Sequence, residues 1–160
     1  PGLRSLQTRA ALSELLAPLA AEKTLQAERL GRPVPVLVKL APDLEDAELD
    51  GALEAILEHG ADGVIINNTT LARPPMRSRF AGEPGGLSGA PVTALSLEMT
   101  RRVARRLNGR LPIVASGGIM CAEDAQARLD AGAALVQVYT GLIYEGPGLV
   151  QQILNAGLKT

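Results

Sequence analysis

Polar side chains and glycines end several short apolar runs of this sequence, where loops could gather them around a ligand. Lys39 lies within one such run, in VLVKLAPD. A buried lysine is costly unless it faces a carboxylate or a ligand. Two interpretations therefore stay open: a structural ion pair, or a cation beside a group that becomes negative during a reaction.

A second apolar run ends in IINNTT, which supplies four hydrogen-bonding side chains from Asn67 to Thr70. Such residues can simply cap a turn. At the mouth of a ligand pocket they can instead donate and accept hydrogen bonds to a flat, polar heterocycle. Periodicity alone does not separate these two possibilities.

The stretch PIVASGGIM ends an apolar run with Gly117 and Gly118. A glycine pair lets backbone N–H groups approach an anion, although it can also form a plain turn. The next apolar run ends in Tyr139-Thr140-Gly141, and Pro147 follows shortly afterwards at the start of a predicted helix. Two successive apolar runs that both end in glycine-containing turns predict a phosphate site shared by the two turns.

A long connection separates the second and third runs, from position 71 to about 91, and it contains four glycines. Loops of this length are uncommon in compact domains, so it predicts either a shaped cover over a site or a disordered excursion. Its arginines, Arg73, Arg77 and Arg79, could serve solubility alone.

Other reactive residue types give weaker signals. His59 ends a predicted helix, where a cation would satisfy the helix dipole. Cys121 has no partner base nearby, and no spacing of ligands suggests a metal site. Four arginines at helical spacing are predicted to lie on the solvated face of a helix, namely Arg101, Arg102, Arg105 and Arg106.

The apolar runs themselves are rich in β-branched residues without strict alternation, which is typical of strands covered on both faces. The predicted strands are Val36–Leu40, Gly63–Asn67, Pro112–Ser116 and Leu135–Tyr139. Helical apolar spacing lies between them. The first four predicted helices cover Leu12 to Leu19, a segment from an Asp43 cap to Gly60, Thr93 to Leu107, and Ala122 to Ala131. Pro18 is expected to disturb the first helix or to restart it. A fifth helix is predicted to begin at Pro147, with Leu149, Val150, Ile153 and Leu154 facing inward.

Regular alternation of strands and helices predicts an α/β fold with a parallel sheet. An open doubly wound sheet usually carries its ligand signal after the first strand. Here the glycine signals follow the later strands, which favours a (β/α)8 TIM barrel. Because the whole barrel needs roughly 250 residues, residues 1–160, with about four βα units, are expected to be its C-terminal half and part of a single domain.

Composition excludes some classes of function. The formal net charge is −1 and the arginines are dispersed, so no nucleic acid is expected as a partner. The single cysteine excludes an internal disulfide framework. The chain begins with Pro1 and not with Met, and we expect it to be a piece of a longer protein.

Six motifs occur here in the order typical of one enzyme family: PGLRSLQ, VLVKLAPDL, NNTTLARP, GGLSGAPV, LPIVASGGI and AGAALVQVYTGLIYEGP. The sequence resembles the dihydroorotate dehydrogenases, and most of all their quinone-linked, membrane-associated class. The resemblance implies a (β/α)8 barrel with flavin mononucleotide (FMN). It also implies oxidation of dihydroorotate to orotate in pyrimidine synthesis, with ubiquinone or menaquinone as electron acceptor.

The resemblance also implies roles for individual residues. Lys39 would contact the pyrimidine edge of the flavin, and Asn67 stands where the family commonly has Thr. Asn68 and Thr69 would bind the orotate ring. The flavin site would be completed by Gly89, Gly118, Tyr139 and Thr140, the last three around the phosphate. Ser116 is a departure, because the family usually has Val there.

The family's catalytic serine belongs to an SPNTPGLR-like segment, whereas this chain starts at PGLR. The resemblance therefore implies no catalytic base within residues 1–160, which we expect to be inactive alone. It places membrane contact in N-terminal helices, peripheral to the cytoplasmic face of a bacterial membrane or to the mitochondrial inner membrane. The alternatives are another FMN barrel acting on a pyrimidine, or a non-catalytic phosphate-binding half-barrel that pairs with its own copy.

Overall fold

A computed structural model describes residues 5–158 of the chain. Its four strands form one parallel sheet in the order β1-β2-β3-β4, so each strand pairs with the next one along the chain. The strands are β1 (Leu37–Leu40), β2 (Gly63–Ile66), β3 (Ile113–Ser116) and β4 (Leu135–Gln137). The helices are α1 (Arg9–Leu30), α2 (Asp46–Glu58), α3 (Thr93–Leu107), α4 (Ala122–Asp130), α5 (Thr140–Glu145) and α6 (Gly148–Asn155).

The two faces of the sheet differ in burial. Leu40, Ile66 and Ala115 are fully buried and join the main core with residues from α1, α2 and α3. Lys39, Ile65 and Val114 are in register on the opposite face, where Ile65 and Val114 are half-buried and Lys39 is exposed within the described residues. The prediction that both faces are covered is therefore wrong for this chain: one face is covered by helices and the other is half-open.

Helix α1 is continuous across Pro18. Leu12 and Leu16, one turn apart, are buried against α2, and the Thr8 side chain caps the first turn. Proline removes one backbone donor and crowds the carbonyl group one turn earlier, and packing of the apolar stripe outweighs these costs. The predicted disturbance at Pro18 is absent from α1.

Helix α2 begins with a capping box and not at the predicted Asp43 cap. The Glu45 side chain accepts from the backbone at Glu48, and the Glu48 carboxylate accepts from the Glu45 N–H at 2.9 Å. This reciprocal pair satisfies two free N–H groups of the first turn. Asp43 is used elsewhere, because its carboxylate accepts hydrogen bonds from Thr70 Oγ1 and from Leu71 N.

Two arginines of α3 join it to α2, so the prediction of a purely solvated arginine face is wrong. Arg102 Nη2 lies 2.9 Å from Asp46 Oδ1 and 3.0 Å from Leu44 O. Arg106 contacts Asp46 and Asp50 at 2.6 and 2.5 Å. The hydrogen bond from Arg102, together with the charge of Arg106, lowers the pKa of Asp46. Sequence periodicity placed these side chains on a polar face but could not show that α2 lies beside it.

The chain after β4 differs from the prediction in two ways. Thr140 begins a short helix, α5, that was not predicted from the sequence. In α6, Leu149 and Ile153 are buried, whereas Val150 is 42% and Leu154 68% exposed. Only the stripe at i and i+4 faces α4 and α5, so Val150 and Leu154 do not face inward within the described residues.

The long connection before α3 is ordered by backbone contacts. Thr70 and Leu87 form an antiparallel bridge across it. Arg73 donates to the carbonyl oxygens of Glu83 and Gly85 at 3.1 and 2.6 Å, so it contributes more than solubility. None of the helices within residues 5–158 combines the length and apolarity needed to cross a bilayer.

Candidate functional site

A cavity of about 360 Å³ opens at the carboxyl ends of the four strands. Parallel strands direct their carboxyl ends to one edge, so the loops that follow them meet there. The walls include all of the predicted site residues except Gly89, namely Lys39, Asn67, Asn68, Thr69, Gly118, Tyr139 and Thr140.

Lys39 projects from β1 towards β4, where its Nζ lies 3.5 Å from Oε1 of Gln137. No carboxylate pairs with Lys39 in the part of the chain that the structure describes. Of the two interpretations of this lysine, the structural ion pair therefore receives no support here. An amide oxygen orients the ammonium group without neutralising it, so its positive charge faces the cavity.

Asn67, just beyond β2, presents a buried acceptor to the cavity. The residue is 3% exposed, and its Nδ2 donates to Asn68 O at 2.6 Å. Its Oδ1 is buried without a hydrogen-bond partner. Because an unpaired buried acceptor is costly, this atom suits a ligand that brings an N–H or O–H donor.

The loop after β2 is held in shape from both sides. The peptide bond Ile66–Asn67 is cis, and Asn68 N donates to Leu40 O at 2.8 Å. Asn68 Oδ1 accepts from Thr69 N at 2.9 Å. Gly86 packs directly on the Thr69 side chain, where a Cβ would collide with it. The long connection thus covers this side of the cavity and adds Leu87 and Ser88 to its wall.

Three consecutive carbonyl groups, beginning at the last residue of β3, are turned into the protein. Ser116 O accepts from Ser96 Oγ at 2.8 Å and from Asn67 N at 3.0 Å. Gly117 O accepts from Arg128 Nη2, and Gly118 O accepts from Thr93 Oγ1 at 2.7 Å. The N–H groups of Gly118 and Ile119 donate to no protein atom within residues 5–158. This arrangement leaves amides available to an anion, as in other glycine-rich turns.

Gly118 is required by its surroundings. Its φ is +69°, and a Cβ there would lie 2.6 Å from the backbone N of Thr93. Any side chain would therefore force the turn away from α3. On the other side of the cavity Thr140 Oγ1 contacts Ser88 Oγ at 2.9 Å.

Gly89 is the predicted site residue that does not line the cavity. Its φ is +76°, and a Cβ at this position would lie 2.8 Å from Thr140 Cγ2. The structure therefore places Gly89 behind Thr140, where it allows close packing of two loops. Its predicted contact with a flavin receives no support from this position.

The reactive residue types that the sequence analysis set aside lie away from the cavity wall. His59 is the C-cap of α2, and its backbone N–H donates to Ala55 O at 3.1 Å. Burial raises the pKa of the Cys121 thiol, which donates to Asp124 at 3.4 Å, so it is protonated at neutral pH. Within residues 5–158 no group of three or more His, Cys, Asp or Glu residues could hold a metal ion.

Sequence reasoning missed Gln137, Ser88 and the contact of Asp43 with the loop after β2. Gln137 had a usable signal, because it is a polar residue in an apolar strand. Ser88 and Asp43 had none, since their roles depend on contacts between loops that are far apart in the chain.

Residues 1–159 match the family profile described as "Dihydroorotate dehydrogenase". The chain belongs to the dihydroorotate dehydrogenase family. It is 49% identical over 160 residues to the "Dihydroorotate dehydrogenase (quinone)" of Sphingopyxis alaskensis, covering 100% of this chain and 43% of that protein. It is 48% identical to the protein of that name from Xanthobacter autotrophicus, covering 99% of this chain and 46% of the relative.

Solved structures of dihydroorotate dehydrogenase agree with the fold. The Eimeria tenella enzyme in complex with ferulenol superposes with a TM-score of 0.91 at 37% identity, covering 96% of this chain and 45% of that one. The ligand-free enzyme from the same organism gives a TM-score of 0.89 at 38% identity, with 96% and 46% coverage. The prediction of a partial (β/α) barrel is confirmed. The chain spans less than half the length of these dihydroorotate dehydrogenases.

Proposed function

We propose that this chain forms the cofactor-phosphate and pyrimidine-binding side of a barrel that oxidises dihydroorotate to orotate. FMN is the proposed cofactor, and a quinone is the proposed electron acceptor. The observation that carries the proposal is the convergence of Lys39, Asn68 and Gly118, from three different strand ends, on one cavity. The quinone-linked relatives support the choice of acceptor.

The donors and acceptors of the cavity fit FMN. The unpartnered Asn67 Oδ1 suits an imide N–H such as that of the flavin ring. The available N–H groups of Gly118 and Ile119 suit a phosphate, and Tyr139 and Thr140 lie on the same wall. An acceptor at one part of the cavity and anion donors at another match a ligand with a polar ring and a phosphate tail.

Each residue of this chain then has a physical task. Bound FMN would supply the two-electron acceptor that the oxidation of a C–C single bond to a double bond requires. Lys39, which Gln137 orients, would stabilise negative charge on the pyrimidine edge of bound FMN. Asn68 and Thr69 orient the substrate ring by hydrogen bonds, and the loop that packs on Thr69 supports this side of the cavity.

We propose no proton acceptor within this chain. By resemblance, that role belongs to a serine in a segment preceding PGLR in the family, so residues 1–160 alone would not oxidise dihydroorotate. Because quinones dissolve in lipid, the complete protein is proposed to associate peripherally with a membrane: the cytoplasmic face in a bacterium, or the mitochondrial inner membrane in a eukaryote.

The test uses the complete protein that contains this chain. Its bound cofactor is released by denaturation and identified by chromatography against FMN, FAD and riboflavin. Anaerobic addition of dihydroorotate is then expected to bleach the flavin absorbance, and added quinone to restore it. Absence of flavin, or flavin that dihydroorotate does not bleach, would refute the proposal.

A further inference from the structure

Arg128 of α4 is the bulkiest of the fully buried side chains in the described part of the chain, at 0% exposed. It does not line the cavity, and the proposed reaction does not use it. A fully buried arginine is unusual unless it is paired, so its position calls for a physical reason.

A single nitrogen of Arg128 joins two loops that border the cavity. Nη2 donates to Thr93 O at 2.9 Å and to Gly117 O at 3.1 Å. Thr93 begins α3 after the long connection, and Gly117 is the first glycine of the turn after β3. Arg128 therefore holds the turn against the start of α3.

Stabilisation of the fold does not explain why an arginine occupies this position. Its Nε and Nη1 are buried without partners. Burial lowers the pKa of Arg128; the nearby Asp124 opposes that shift, and Arg101 adds to it. A neutral amide could donate to the same two carbonyl groups. Burying a charged guanidinium group in its place costs more free energy.

The turn that Arg128 holds is the one whose amides are available. Arg128 and Thr93 draw the carbonyl groups of Gly117 and Gly118 into the protein, so the N–H groups of Gly118 and Ile119 are left for an anion. A buried positive charge directly behind such a turn strengthens its attraction for an anion, because little solvent screens it.

We infer that Arg128 is a positioning residue that holds the Gly117–Gly118 turn in its anion-binding shape and adds positive charge behind it. The anion is a phosphate monoester, which is that of FMN if the proposed function is correct. Arg128 then discriminates a flavin that carries the phosphate from one that lacks it.

The experiment compares FMN with riboflavin in the complete protein, stripped of its flavin and titrated by fluorescence quenching. Arg128→Met is expected to weaken FMN binding by about tenfold or more, and riboflavin binding by less than about threefold. Arg128→Lys keeps the charge on a side chain that is one bond shorter than that of arginine, so it reaches the two carbonyl groups less well and is expected to fall between wild type and Arg128→Met. The matched control is Arg105→Met, which removes an exposed arginine of α3 that pairs with Glu98, and is expected to leave both affinities unchanged.

Two results would overturn the inference: an FMN affinity unchanged in Arg128→Met, or equal losses for FMN and riboflavin, which indicate a role in folding alone. If Arg128→Met does not fold, Arg128→Lys decides, because it must still lower the ratio of FMN to riboflavin affinity. Wild-type protein that binds neither flavin would instead refute the proposed function, so the two failures are distinguishable.

Discussion

Lys39 and Gln137 form a hydrogen bond of 3.5 Å although two strands, β2 and β3, lie between their own strands. Neighbouring strands are about 4.8 Å apart, so a flat sheet would separate β1 from β4 by about 14 Å. Side chains that stand perpendicular to a flat sheet would not meet across that gap. The contact therefore requires the sheet to curve around Lys39, as it does in a barrel.

Replacement of Lys39 by alanine tests the proposed charge stabilisation. Lys39→Ala in the complete protein is expected to weaken FMN retention and to slow flavin reduction by dihydroorotate about a hundredfold, because the preorganised positive charge is lost. Stopped-flow absorbance under anaerobic conditions measures the rate. Lys23→Ala is the control, since Lys23 pairs with Asp62 at 2.6 Å away from the cavity wall and the rate should not change. An unchanged reduction rate in Lys39→Ala would remove this residue from the mechanism.

The unpartnered oxygen of Asn67 predicts a selective loss of flavin affinity. Asn67→Ala is expected to weaken FMN binding about tenfold, because a hydrogen bond to a buried acceptor contributes roughly 1–1.5 kcal/mol. Titration of flavin-free protein followed by fluorescence quenching measures the affinity. Asn155→Ala, at the end of α6 and away from the cavity, should bind FMN as wild type does. If both variants bind equally well, Asn67 does not face the ligand.

Gly118 and Gly60 form a matched pair for the turn after β3. Their φ values are +69° and +66°, but a Cβ on Gly118 meets Thr93, whereas nothing lies within 4 Å of one on Gly60. Gly60→Ala is expected to cost about 1–2 kcal/mol of unfolding free energy from backbone strain alone. Gly118→Ala adds overpacking of about 1–3 kcal/mol and should also abolish tight FMN binding. Urea denaturation and flavin titration measure the two effects. Equal destabilisation by both substitutions, with flavin binding retained, would contradict the described turn.

The contact of Asp46 with α3 predicts a pH-dependent stability. Because the hydrogen bond from Arg102 and the charge of Arg106 lower the pKa of Asp46 below its ordinary 3.8, the carboxylate stabilises the folded state above that value. Asp46→Asn should therefore be less stable than wild type at neutral pH. The difference should shrink as the pH falls below 3.8 and disappear below the lowered pKa. Urea unfolding at several pH values tests this, and a pH-independent difference would show that Asp46 does not act through its charge.

The types and order of most elements were readable from the sequence because they depend on local spacing. The apolar runs predicted all four strands to within two residues at either end. The glycine pair after β3 and the polar run after β2 were also singled out from the sequence, and both border the cavity. These signals are local, since a strand end and its loop are continuous in the chain.

Long-range contacts could not be read in the same way. Asp43 is a good N-cap by type, but its carboxylate is used by Thr70 and Leu71, and Glu45 caps α2 instead. Arg102 has the pattern of a solvated residue until α2 is placed beside it. In each case the partner is more than 25 residues away, so only packing decides which of two chemically reasonable roles a side chain takes.

The sequence by itself determined that helices and parallel strands alternate and that polar groups follow the strands, because periodicity and turn residues act within one segment. Tertiary structure alone decided that Gln137 orients Lys39, that Gly89 lies behind Thr140, and that Arg128 holds the turn after β3. Those outcomes depend on how far the sheet curves and which loops meet at its edge. Both are set by the packing of whole elements against one another, and no local pattern of residues encodes that packing.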